Sequence, residues 1–395
     1  MDALLEAYNR KLSFVSGRFE RYMLKSMSWK SRLIAIKGAR GVGKTTLMLQ
    51  NIKKNLNPEQ AIYMSLDNIY FSQHGLYETV STLEKRGVVH FYIDEVHKYP
   101  SWAREIKNLY DDFPAIKLVV SGSSILELQK GDTDLSRRMI SYTLKPMSFR
   151  EYLEISEIYT SESFSLEELL ASHVKITKEI LTEMKPLRHF SEYLRFGSYP
   201  YSLEGHETYH EKLRNTINVI IDSDLPSILN IDYAHSLKLK KLLAFIGSNT
   251  PYKPNIQKLA EQIQIDRRTV YQYLDILNSS ELISLLETDK KGDTRLSKPE
   301  KIYMSTTSLA YALHAQADIG TIRETFFYSQ MKDLHQVNYS KVGDFLVNNN
   351  YIFEVGGKSK SFEQIKDLDN SFVVKDDIET GHFNTIPLWL FGFMY

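Results

Sequence analysis

The stretch LIAIKGARGVGKTTLMLQ, residues 33–50, sets three glycines, a lysine and two threonines between an apolar run of strand type and a run of helix type. Gly38-Ala39-Arg40-Gly41-Val42-Gly43-Lys44-Thr45 satisfies G-x-x-x-x-G-K-[ST] in the strand-then-helix context that this motif needs. Glycines let backbone N–H groups turn in around phosphate oxygens, and the start of the next helix adds a favourable dipole. Lys44 is expected to reach the β and γ phosphates of ATP, and the Thr45 hydroxyl to ligate the Mg²⁺ that bridges them. With Thr46, these residues form the expected nucleotide-binding run.

Three further groups would complete a hydrolytic site. VVHFYIDEVHKYPSW places Asp94 and Glu95 where a buried strand runs out, the edge of an α/β sheet at which ligands bind. Asp94 suits the Mg²⁺ shell, and Glu95 can polarise the attacking water. LVVSGSSILEL ends a second such strand in hydroxyls, and Ser121 is the candidate sensor of the γ phosphate or the lytic water. The hydroxyls of Ser123 or Ser124 are equally suited to capping an ILELQ helix. In DLSRRMISYTL, Arg137 and Arg138 are candidates for a guanidinium delivered by a neighbouring subunit, with Arg138 favoured; both also fit an ordinary surface. A finger supplied in trans implies a homo-oligomer.

The elements that must position these residues are legible as short apolar runs. LIAI (33–36), AIYMSL (61–66), VVHFYI (88–93) and IKLVVS (116–121) are separated by helix-length segments, which predicts a parallel sheet covered on both faces. Residues 1–30 read as one or two helices and 31–147 as the nucleotide-binding core. Residues 148–250 are helical, and 251–300 hold two short helices, a tight turn and a β wing. From 301 to 395 the pattern returns to mixed α and β, and IPLWLFGFMY reads as a terminal core strand.

At 395 residues the chain is longer than a single core usually supports. Lysine plus arginine and aspartate plus glutamate number 49 each, so no global field would gather nucleic acid or an anionic membrane. The lack of cysteine removes disulfides, thiol nucleophiles and cysteine-ligated zinc, and fits a reducing cytoplasm. The first residues lack the order of a signal peptide, and no apolar run is long enough for a membrane span. The 11 histidines show no paired ligand spacing, so no transition metal is expected.

In IQKLAEQIQIDRRTVYQYLDIL, Ala260 is small where two helices must approach and Asp266 can cap the second helix. That would present Arg267, Arg268 and Thr269 to phosphates and major-groove edges. Against DNA, residues 201–300 hold 13 lysines and arginines beside 14 acids, so a protein-docking role stands beside the nucleic-acid one.

The order of motifs resembles that of bacterial and archaeal AAA-type ATPases with a nuclease-like C-terminal domain of unknown function. The residues that carry the resemblance are GARGVGKTT, FYIDEVHKYPSW, VVSGSS, the SRRM arginine, PMSFREYL, YLRFGSYP and YIFEVGGKSKSFEQI. It implies an α/β fold: a P-loop NTPase parallel sheet with an added strand and a catalytic glutamate, followed by a helical lid, a winged helix-turn-helix and a restriction-endonuclease-like α/β domain. It gives phosphate contact to Lys44 and Thr45, metal to Asp94, water activation to Glu95 and the finger to Arg138. Nucleases of that fold pair an acid with a Glu-x-Lys strand. Here the counterparts are Asp344 and Glu354, with Glu324 as a further acid, but Gly356 stands where the lysine belongs. Lys358 lies about 6.6 Å further along a regular strand, so a retained fold without cleavage is expected.

The leading expectation is an Mg²⁺-dependent ATPase that couples nucleotide state to its C-terminal modules. A slow-turnover ATP switch or scaffold and an ATP-regulated DNA nuclease stand as alternatives.

Overall fold

The computed structural model describes residues 1–123, 135, 137–229, 231–288 and 298–395. They form two compact units, Met1–Pro146 with Val219–Asp232, and Met147–Asn218 with Tyr233–Tyr395. The ILELQ segment and the 289–297 tip of the expected wing lie outside the described residues.

The first unit opens with helix α1 (Asp2–Phe14) and a single helical turn, α2 (Met23–Ser26). Strands β1 (Leu33–Lys37), β2 (Ala61–Ser65), β3 (His90–Asp94), β4 (Lys117–Ser121) and β5 (Ile140–Thr143) follow, with helices α3 (Lys44–Asn55), α4 (Leu76–Glu84) and α5 (Trp102–Asp112) between them. The sheet order is β2-β3-β4-β1-β5 and every pairing is parallel. The apolar runs form β1, β2, β3 and β4, whose positions are almost all buried, so few of them need to be polar. Helix α4 shows the matching face, burying Leu76, Thr79, Val80 and Leu83 at helical spacing. β5 is an edge strand whose ISYT residues are mostly exposed, and its pattern therefore lacks the signal that marks the other four.

Register decides which residues can meet. Ile36 stands opposite Ser121, and Ser65 opposite Asp94. The carboxyl ends of β1, β2, β3 and β4 consequently share one edge, the edge from which the glycine-rich loop departs. The segment Val219–Asp232 also belongs to this unit, through a turn of i→i+5 helix at Ile220–Asp224 and the short helix Leu225–Leu229.

In the second unit, α6 (Phe149–Ile155) and α7 (Leu166–Glu183) each begin at a serine–glutamate capping box, Ser148 with Glu151 and Ser165 with Glu168. Helices α8 (Pro186–Phe196), α9 (Tyr209–Val219) and α10 (Tyr233–Asn249) continue the helical region. Helices α11 (Ile256–Ile263) and α12 (Arg267–Ser279) flank a tight turn, with Asp266 capping α12 through Thr269 N–H at 3.0 Å. Strands β6 (Ile283–Leu286) and β7 (Lys301–Met304) pair antiparallel beyond them.

After α13 (Thr307–Leu313) and α14 (Ile319–Met331), a second sheet has the order β12-β11-β10-β9-β8. Its strands are β8 (Val337–Tyr339), β9 (Phe345–Val347), β10 (Tyr351–Gly356), β11 (Ser371–Lys375) and β12 (Thr385–Pro387). The β8-β9-β10 pairings are antiparallel and the β10-β11-β12 pairings parallel. Phe327 of α14 packs on the rings of Phe345, Phe353 and Phe391 at 4.9–5.1 Å between centroids. The apolar tail is buried as expected but is not one long strand. Three residues form β12, and Leu388–Phe393 form a 3₁₀ turn. An unbroken apolar run has no period, so it does not distinguish the two.

Candidate functional site: a phosphate loop and its carboxylates

The loop between β1 and α3 is shaped by backbone requirements. Gly38 has φ +148° and lies so close to the chain after β5 that an added Cβ would overlap the Leu144 carbonyl oxygen. Gly43 enters α3 at φ 97°, in the region that favours glycine. Arg21, buried, ties the loop from outside by donating to the carbonyls of Val42 and Lys145. Lys44 is also buried, and its ammonium donates to the carbonyls of Gly38 and Ala39 at 2.8 and 2.9 Å. A buried cation needs such acceptors, and an anionic ligand is the stronger alternative to neutral carbonyls.

Asp94, only 1% exposed, is the hub. Its Oδ2 accepts from the Thr45 hydroxyl at 2.5 Å and from the Tyr63 hydroxyl at 2.7 Å, and its Oδ1 accepts from Ser121 and from the Glu95 N–H at 3.0 Å. Register explains the convergence, since β2, β3 and β4 end side by side. Burial and the neighbouring Asp94 charge push the Tyr63 phenol far up, so it remains a donor. Ser121 therefore lies on the carboxylate in this structure. Tyr63 was read only as part of an apolar strand, because a buried tyrosine in such a run looks like core.

Glu95 follows at φ 53°, a left-handed conformation uncommon outside glycine, asparagine and aspartate. Burial, then Asp94, raise its pKa above the ordinary 4.5, while His97, Lys44 and Arg40 pull it down. His97 is buried in the following turn, with Nε2 3.4 Å from Glu95 Oε2 and 3.8 Å from Asp224 Oδ1. Asp224 also accepts from Lys98 at 2.5 Å and from Arg40 of the phosphate loop at 3.1 Å. Burial alone would raise the Asp224 pKa; His97, Lys98 and Arg40 override it and bring it from 3.8 to about 2.

One carboxylate beside one hydroxyl is the donor set Mg²⁺ takes when phosphates and waters complete its shell. The described residues contain no group of three or more His, Cys, Asp or Glu side chains able to hold a metal alone. The first unit thus suits a cation that arrives with a phosphate ligand.

Residues 30–153 match the AAA domain family. They begin before β1 and end in α6, taking in the loop, Asp94, Glu95, Ser121 and Arg138. Residues 187–321 match a second family, described as a domain of unknown function (DUF8612). An uncharacterized protein of Methanocaldococcus jannaschii is 26% identical over 436 residues, covering 97% of this chain and 90% of its own. Among solved structures the chain is similar to C. elegans PCH-2, at 20% identity and TM-score 0.23, over 42% of this chain and 47% of that one. The match thus spans about half the length of PCH-2. It is similar also to AMPPCP-bound DnaA from Aquifex aeolicus, at 16% identity and TM-score 0.26, over 65% of this chain and 84% of that one. For NtrX from Brucella abortus in complex with ATP the values are 14% and 0.26, over 62% and 64%.

Within the matched residues, Arg138 stands two residues before β5, which runs parallel to β1. It is therefore at the amino-terminal edge of the sheet, about 15 Å of strand away from the phosphate loop of its own chain. There it forks onto Asp111 at 3.1 and 3.3 Å. Arg137 is exposed beside it.

The second unit holds the other candidates. Arg267 and Arg268 are exposed at the start of α12, where Arg267 donates to Gln257 at 2.7 Å and Thr269 to the Asp266 cap at 2.6 Å. Asp344 and Glu324 are brought together, but around Lys301, whose ammonium is 3.2 and 2.7 Å from them. Glu354 is paired with Lys360, while Lys358 is exposed. The chain turns back after β10, with Lys360 N–H donating to the Gly357 carbonyl at 2.9 Å. Only glycine at 356 leaves room for the Lys360 stem, which a Cβ there would meet at 2.8 Å. Lys360, two residues beyond Lys358, is thus the lysine that meets Glu354 in this structure. Among the described residues no helix is long and apolar enough to cross a membrane.

Proposed function

We propose that the AAA domain binds ATP with Mg²⁺, hydrolyses it, and uses the nucleotide state to reset the second unit. The observation that carries this reading is the single hub at Asp94, reached by Thr45 of the loop, Ser121 of β4 and the Glu95 amide, beside a buried Lys44 that donates to the loop carbonyls. Lys44 exchanges those carbonyls for phosphate oxygens, and Thr45 and Asp94 hold the cation. Bound Mg²⁺ supplies charge neutralisation on the phosphates. Glu95, with its raised pKa, accepts the proton of the attacking water. Ser121 relays the state of Asp94 to β4. Arg138 serves a neighbouring copy, because its edge of the sheet faces away from its own loop.

The pair α11–α12 with the β6–β7 ribbon supports a winged-helix reading for residues 251–300. Its exposed arginines at the start of α12 stand beside the Asp266 cap and near Glu261 at the end of α11, and that mixed charge favours protein docking over DNA. In the tail, Lys301 and Lys360 neutralise the carboxylates that a metal nuclease would need open, which supports a recognition fold rather than cleavage.

The test is steady-state ATP hydrolysis by the full chain and by Glu95→Gln, each with and without duplex DNA. Turnover lost in Glu95→Gln with nucleotide binding retained is the expected result. Equal turnover in the two proteins would remove Glu95 from the mechanism. Tight binding without turnover in the native protein would leave a slow nucleotide switch in place of the ATPase.

A further inference from the structure

Asp224 lies 129 positions after Glu95 and has no part in the phosphate-loop motif. Its carboxylate is fully buried, and one oxygen takes Arg40 while the other takes Lys98 and faces His97. Burying a carboxylate is costly unless its partners are well placed, and here the partners sit on two separate pieces of the site. Arg40 is inside the phosphate loop; His97 and Lys98 form the 3₁₀ turn Val96–Lys98 that begins at Glu95. Ser223 adds a hydroxyl 3.3 Å from Lys98. The carboxylate rides on the i→i+5 turn Ile220–Asp224, an irregularity that often marks functional positions in helices. The chain on both sides of Val219–Asp232 belongs to the second unit, so this segment is an excursion into the AAA domain and back.

We infer that Asp224 is a positioning residue of the nucleotide site, fixing the phosphate loop and the Glu95 turn to each other through Arg40 on one oxygen and Lys98 with His97 on the other. The inference rests on the ATPase reading for its kinetic consequence but not for its structural one. Losing the carboxylate releases Arg40, which then adds a free guanidinium beside the loop, so nucleotide affinity holds or improves. The Glu95 turn loses its anchor at the same time, so the chemical step slows. The result is a split between binding and turnover.

The experiment compares the full chain with Asp224→Asn and Asp224→Glu by kcat, by the Kd of a fluorescent ATP analogue, and by hydrogen exchange of the ligand-free protein. For Asp224→Asn the expected result is a fall in kcat of at least tenfold, a Kd within threefold of native or tighter, and exchange at least tenfold faster both in the 38–43 loop and in the Val96–Lys98 turn. Asp224→Glu, which keeps the charge, should recover part of the kcat. Faster exchange confined to 219–229 with kcat unchanged would overturn the inference, as would a weakened Kd at unchanged kcat. Should Asp224→Asn fail to fold, Arg40→Gln and Lys98→Gln, at partly exposed side chains, replace it; the inference then requires each to slow turnover and their double variant to be non-additive, and additive effects would overturn it. A native protein without turnover defeats the ATPase reading alone, and the exchange data still decide on Asp224.

Discussion

Replacing Lys301 by methionine removes the ammonium that bridges Glu324 and Asp344 while keeping most of the buried stem. Lys301 is 7% exposed, and its ammonium is 2.7 Å from Glu324 and 3.2 Å from Asp344, both carboxyl side chains being 17% exposed. Removing one partner from a buried ion pair costs about 3–5 kcal/mol. Two donors survive the change: the Tyr303 hydroxyl on Glu324 at 2.6 Å and the Val355 N–H on Asp344 at 3.0 Å. The expected loss is therefore the lower figure, about 3 kcal/mol at pH 7. Its pH dependence has a definite sign. In the native protein, burial lowers the lysine pKa but Glu324 and Asp344 outweigh it and raise it above 10.5, so its contribution is present below that value and is lost only as pH rises through the higher folded value. In Lys301→Met the two carboxylates face each other without the ammonium that bridges them. The difference from native should therefore persist at neutral pH and fade only as pH rises through the native lysine's raised value. Urea unfolding followed by Trp389, with Trp29 and Trp102 of the first unit changed to phenylalanine, reads this unit alone. Mn²⁺ should restore part of the lost stability in the variant and add nothing to the native chain. A difference under about 1 kcal/mol at pH 7 refutes the assignment of Lys301 as the counter-ion of Glu324 and Asp344.

Three further outcomes follow from the first unit. The acid limb of kcat should lie above pH 4.5, because Glu95 must be ionised to accept a proton and its pKa is raised; a limb at or below 4.5 in a pH–rate profile argues for another base. Arg138→Ala and Glu95→Gln should each be inactive alone, yet a mixture should regain turnover where an intact arginine meets an intact glutamate; a mixture no faster than its parts would remove the trans arginine. Asp224, depressed from 3.8 to about 2, contributes about 2 kcal/mol that is present above pH 3.8 and lost as pH falls through about 2. Amide exchange of 219–229 in native protein and Asp224→Asn should therefore converge toward pH 2, and a constant gap would contradict the charge assignment.

What could be read from the chain was what leaves a local mark. Four of the five strands of the first sheet announced themselves as apolar runs, and the loop motif stood at the end of one of them. β5 did not, because an exposed edge strand such as ISYT has little apolar signal. Asp94 and Thr45 are legible because the motif and the strand end place them. Tyr63, Arg21 and Asp224 are not: each acts across the tertiary fold, Asp224 at 184 positions from Arg40, and neither composition nor periodicity carries that distance. The tail shows the converse. Glu354 and Asp344 were identifiable as acids at strand ends, but which lysine meets Glu354 depended on a turn at Gly357 that straight-strand counting ignores, and Lys301 entered from β7, outside the pattern being matched.

The left-handed backbone at Glu95 has a consequence for how this chain would respond to selection. A glutamate held at φ 53° costs on the order of 1 kcal/mol relative to a residue without a Cβ. Glu95→Gly would relieve that strain and remove a partly buried acid in the same step, so the variant should be harder to unfold than the native chain while losing the proposed base. A screen for thermal robustness would enrich it and a screen for turnover would discard it. Position 95 is thus where hardiness and activity pull this molecule in opposite directions.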